Sequence, residues 1–123
     1  MRFAHVISRP TSITPFIPDE QYRDLLRRAA VIVVLSTDPV ALHCAASEAI
    51  AVKRPLVVSE SAVARARLRD AAVDVANEPL AIARGIEEAS ALGSALVSAS
   101  ADLSVVLEGE LSEKLSALRA DLA

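Results

Sequence analysis

The feature that most constrains this chain is the uninterrupted aliphatic run at residues 31–35 (VIVVL), followed by a second such run at residues 55–58 (PLVV). A strand that is apolar at every position has no solvent face, which suits a parallel sheet covered on both sides. Between the two runs, residues 36–39 (STDP) break the pattern. Leu42, Ala45, Ala46, Ala49 and Ile50 then recur at steps of three and four, predicting a helix with one packed stripe that reaches Lys53. Strand, polar turn, helix, strand is the parallel crossover unit. Ligands of open parallel sheets bind beyond the carboxyl ends of the strands, so any chemistry is expected around the turn at residues 36–42.

A chain of 123 residues is long enough for one domain with its own core, and the whole of it, 1–123, is read as a single domain. Its hydrophobic fraction is 53%, yet Phe, Tyr and Trp together make 2%, so the core must be built from Ala, Val, Leu and Ile. That favours close helix-on-sheet layers and leaves little aromatic surface for stacking a base or a sugar. Thirteen Lys plus Arg against sixteen Asp plus Glu give a net charge of -3, which is no electrostatic footprint for nucleic acid. Cys44 is the only cysteine, excluding an internal disulfide and a Cys-based zinc cluster. No run is long and apolar enough for a transmembrane segment, and residues 1–12 lack the apolar stretch of a secretory signal, so a cytoplasmic protein is expected.

In chain order, residues 3–7 read as a short strand. Pro18 and Asp19 open a helix whose stripe is Tyr22, Leu25, Leu26 and Ala29, with Arg23, Arg27 and Arg28 on its exposed flank. Residues 62–70 predict a short helix with a basic side, and residues 73–75 a third strand. Residues 79–92 predict a helix capped by Asn77, with Pro79 in its first turn and a stripe of Leu80, Ala83, Ile82, Ile86 and Ala89. Gly93 is expected to end it. Residues 94–123 read as a helical segment of the same domain, bent near Gly109. Its Leu111, Leu115, Leu118 and Leu122 line one face and are expected to pack on the domain itself.

Most polar residues here have a plain structural reading. Ser36, Thr37 and Asp38 suit a helix-capping turn. Asp38 at a strand end also suggests a phosphoacceptor, but the accompanying acidic cluster and lysine of such a site are not suitably placed. His43 and Cys44 are adjacent, and adjacent helix residues diverge by about 100°, so they form no metal pair. Cys44 reads as a small packed side chain, and His5 has no acidic or serine partner at a recognisable spacing. Ser59, Glu60 and Ser61 border the end of the second strand. Glu48 lies on the packed side of the crossover helix beside Ala49, where a carboxylate is costly unless something partners it, and Lys53 or Arg54 is the plain candidate.

Three pieces of the chain carry a resemblance: FIPDEQYRDLLRRAAVIVVLSTDP from Phe16, ASEAIAVKRPLVVSES ending at Ser61, and DVANEPLAIARGIEEA ending at Ala89. Together they resemble the carboxyl-terminal donor-binding domain of retaining glycosyltransferases of the GT-B fold. The sharpest match is Ser47-Glu48-Ala49 followed by Lys53-Arg54-Pro55. The resemblance implies an α/β, three-layer Rossmann-like half-domain with a short parallel sheet and a long C-terminal helical segment. It implies that Glu48 accepts hydrogen bonds from the ribose of a nucleoside-diphosphate sugar. The turn at Ser36, Thr37 and Asp38 and the helix-end amides near Ala41, Leu42 and His43 would receive the diphosphate. No metal or cofactor is implied, and no catalytic residue is assigned. Val40 stands where many members carry a first glutamate, eight positions before Glu48, and the family's diphosphate-neutralising basic pair has no counterpart. The expectation is therefore a partial domain, without its acceptor-binding domain, inactive alone and completed by a companion chain. The competing expectation is a non-catalytic α/β module associating through its sheet edge and C-terminal helix.

Overall fold

The structure, a computed structural model, describes residues 14–38 and 44–122. Three strands, β1 (Ile32–Val34), β2 (Leu56–Ser59) and β3 (Ala72–Val75), form one parallel sheet in the order β1-β2-β3. Helix α1 (Asp19–Arg28) precedes β1, and α2 (Cys44–Ala51) crosses from β1 to β2. Helix α3 (Ala62–Leu68) with a 3-10 turn (Arg69–Ala71) crosses from β2 to β3. Helices α4 (Pro79–Ala91) and α5 (Gly93–Leu122) complete the chain. The expected strand at residues 3–7 lies outside the described residues.

The sheet's two faces divide the core. In register, Ile32 pairs with Leu56 and Leu56 with Ala72, while Val57 pairs with Val73. On one face Ile32, Val34, Leu56, Val58 and Ala72 pack with Ala46, Ala49 and Ile50 of α2, Ala64 and Leu68 of α3, and Leu103 of α5. On the other, Val57, Val73 and Val75 pack with Ile82 and Ala89 of α4 and Leu96 of α5. Central β2 is buried on both faces, as its unbroken aliphatic sequence requires. The small residues of α2 let helix and sheet approach closely in a core almost without aromatics.

Local chemistry fixes the ends of the elements. Helix α2 closes in a Schellman motif: Lys53 N–H donates to Ile50 O (3.1 Å) and Arg54 N–H to Ala49 O (3.2 Å). Lys53 itself takes φ 57°, the left-handed conformation in which glycine is least costly. Pro55 then starts the chain towards β2. Ser61 caps α3 by accepting from Ala64 N–H (2.9 Å), and so serves that helix. Arg65 of α3 pairs with Asp74 of β3 at 3.2 Å.

Four expectations need correction. The stripe of α1 has no fully buried residue: Tyr22 and Leu25 are exposed, Leu26 and Ala29 half-buried, and among the described residues no other element packs closely against this helix. The buried side of α4 is Gly85 and Ala89 with half-buried Ile82, whereas Leu80, Ala83 and Ile86 are exposed. Close contact there needs a residue without a side chain, so Gly85 sits where an apolar count sees nothing. Helix α5 runs unbroken through Gly109, and the chain instead turns by 83° between α4 and α5. One glycine in an exposed helix costs only about 1 kcal/mol and does not stop propagation. Finally, Leu111, Leu115, Leu118 and Leu122 are exposed, because α5 meets the domain through Leu96, Ser100 and Leu103 and then runs past it. No single helix among the described residues is long and apolar enough to cross a membrane.

Candidate functional site

Parallel strands bring three chain segments to the same edge of the sheet, and there their polar residues close a ring. Ser36 N–H donates to Ser59 Oγ (2.8 Å), Ser59 Oγ–H donates to Asn77 Oδ1 (2.5 Å), and Asn77 Nδ2 donates to Ser36 O (2.8 Å). The ring ties the ends of β1, β2 and β3 together. Asp38 N–H donates to Ser36 Oγ (3.0 Å), folding the first residues after β1 back on themselves. Thr37 and Asp38 are exposed at this edge. Ala41, Leu42 and His43, the expected helix-end anion site, lie outside the described residues, as does Val40.

The ring has a definite chemical limit. Ser59 gives its hydroxyl proton to an amide oxygen, which has no basicity to remove it, so Ser59 is not an activated nucleophile. Asn77 was expected to cap α4, but the capping position falls on Glu78, without a side-chain cap bond. The amide of Asn77 instead spans Ser59 and Ser36. An amide suits this place because it both accepts and donates.

Glu48 is half-buried on α2, just over one turn beyond Cys44, and its partner is neither Lys53 nor Arg54. Tyr22 of α1 donates its hydroxyl to Glu48 Oε2 at 2.7 Å. Bonding to the carboxylate, then burial, then the carboxylate's charge raise the Tyr22 pKa above its ordinary value of 10.0. Glu48 Oε1 takes no part in that bond. The two side chains stand in a groove of about 470 Å³ between α1 and α2, lined also by Asp19, Arg23, Leu26 and Arg27. Sequence reasoning placed Tyr22 in an apolar stripe. The usable signal was the tyrosine's polar tip, which seeks a partner wherever the ring is partly covered. Cys44, expected to be packed, is exposed at the first described turn of α2.

Among the described residues no three His, Cys, Asp or Glu side chains are grouped to hold a metal ion. No family model matches the chain, and neither a curated protein nor a solved structure matches it. The chain is an α/β domain with a short parallel sheet, a polar ring at the strand ends and a carboxylate on the crossover helix.

Proposed function

We propose that this chain is the nucleotide-sugar-binding part of a glycosyltransferase-type domain of Rossmann-like, three-layer design. The observation that carries the reading is the convergence of Ser36, Ser59 and Asn77 on one edge of a parallel sheet. The helix that leaves that edge bears Glu48. In this reading Glu48 accepts the ribose hydroxyls, and the segment from Ser36 through Thr37, Asp38, Ala41 and Leu42 to His43 lies along the diphosphate. Transfer with retention then takes place against an acceptor-binding domain on a companion chain, in the cytoplasm, and this chain alone is inactive. Its share in catalysis is electrostatic, holding the charge that develops on the leaving diphosphate.

The test is thermal denaturation with and without uridine, guanosine and adenosine diphosphates, since a ligand bound only by the folded state raises the midpoint. A hundredfold excess over Kd corresponds to about 2.7 kcal/mol of added stability. Glu48→Ala should abolish the shift. Tyr22→Phe should keep it, because that change removes the hydroxyl and leaves the carboxylate. Absence of any shift, or a shift indifferent to Glu48→Ala, removes the donor-site reading.

A second reading, a non-catalytic association module, is favoured by one specific observation: Leu111, Leu115, Leu118 and Leu122 are all exposed along one face of α5. Pull-down with a companion chain that is lost on Leu115→Glu, without any nucleotide shift, would select it.

A further inference from the structure

The outer half of helix α5 carries an ordered apolar seam that the described residues leave uncovered. Leu111, Leu115, Leu118 and Leu122 are 59%, 44%, 55% and 79% exposed. They recur at steps of four, three and four, the alternation by which one helix presents a narrow seam to another. The steps read the same from either end. Such a seam fits itself turned end over end: Leu111 then meets Leu122 of the second copy, and Leu115 meets Leu118.

The charges beside the seam point to the occupant and to its direction. Lys114 and Asp121 each stand one residue before a seam leucine, on one flank, and Arg119 stands one residue after Leu118, on the other. All three are exposed, and none has an ion-pair partner among the described residues. Two copies aligned in the same direction would set Lys114 of each beside Arg119 of the other. That arrangement would also bring the two copies of Glu108, seven residues before Leu115, face to face within the seam. Turned end over end, Lys114 of each copy lies beside Asp121 of the other, and Glu108 falls beyond the end of the seam. A second copy thus satisfies the leucines and the flanking charges together. We infer that residues 111–122 form an antiparallel two-fold contact between two copies of this chain. The two-fold axis passes between Ser116 and Ala117, which makes every contact reciprocal. The seam is only about 17 Å long, so the dimer is a weak and reversible one. None of this draws on nucleotide binding.

Sedimentation velocity across a concentration series tests the inference with the full chain, and far-UV circular dichroism confirms that each variant is folded. The unsubstituted chain should dimerise at high concentration. Leu115→Glu should raise the dimer Kd at least about tenfold, since it places a charge in the covered centre. Lys114→Glu should weaken the dimer several-fold, and Lys114→Glu combined with Asp121→Lys should restore it. Leu25→Glu on α1 should leave it unchanged. A chain that stays monomeric at every concentration overturns the inference, as does a monomer that binds a companion chain one-to-one through this seam. A dimer strengthened by Lys114→Glu overturns it as well, because only copies aligned in the same direction would pair the new carboxylate with Arg119. So does a dimer that is indifferent to Leu115→Glu.

Discussion

The hydroxyl of Tyr22 donates to Glu48 Oε2 across the space between α1 and α2, and among the described residues this is the side-chain hydrogen bond that links α1, a helix with no buried residue, to α2. Tyr22 is the only tyrosine, and the chain has no tryptophan. Its phenolate absorbance therefore reports this contact without interference. The bond favours the protonated phenol, so the titration midpoint should lie above the ordinary value of 10.0. Glu48→Gln should bring it back towards that value. The sign for stability follows from the raised pKa: the contribution is fully present below pH 10.0 and is lost as pH rises through the folded-state midpoint. A Tyr22 midpoint that does not move in Glu48→Gln would disprove the coupling.

Gly85 lies where α4 crosses the sheet, and a Cβ there would overlap Val75 Cγ1 and touch Val57 Cγ1 at 3.4 Å. Both neighbours are β-branched and held in the core, so neither gives way cheaply. Gly85→Ala should destabilise the domain by about 1–3 kcal/mol from overpacking, even though alanine is the better helix former. In a Val75→Ala background, the same change should cost much less. Urea denaturation of the four proteins in that cycle measures the coupling.

Ser100 is fully buried on α5, and its Oγ has no hydrogen-bond partner among the described residues. A hydroxyl withdrawn from water without compensation costs stability, and serine is a weaker helix former than alanine. Ser100→Ala should therefore stabilise the fold by about 1 kcal/mol, visible as a raised denaturant midpoint at unchanged slope. A loss of stability would mean that the hydroxyl has a partner in solution.

Lys53 holds a left-handed backbone at the end of α2, with φ 57°. That conformation costs a residue with a Cβ about 1–2 kcal/mol, offset in part by the larger chain entropy that glycine loses on folding. Lys53→Gly should stabilise by roughly 0.5–1 kcal/mol. Lys53→Ala, which keeps the Cβ, should not, and the comparison separates backbone strain from the loss of charge.

Much of the sheet was legible because its signal is local. The runs at residues 31–35 and 55–58 have no polar position at which to face water, and in the structure they become the edge strand β1 and the central strand β2. Ala46, Ala49 and Ile50 were legible for a similar reason, since a helix crossing a sheet buries one stripe. What local pattern does not encode is whether a partner surface exists. Tyr22, Leu25 and Leu26 repeat at the same spacing as the α2 stripe, and so do the leucines of α5, yet the domain offers neither set a surface. The ring of Ser36, Ser59 and Asn77 was half legible: strand order predicts that these segments meet, but hydrogen-bond direction depends on register. Asn77, two residues before Pro79, looks like a cap until the neighbouring strands are in place.

Helix α5 has no buried residue beyond Leu103, and its residues 105–122 span roughly 27 Å at the helical rise. The outer turns therefore carry little of the domain's stability: side chains there can be exchanged while the packing around Leu96, Ser100 and Leu103 stays as it is.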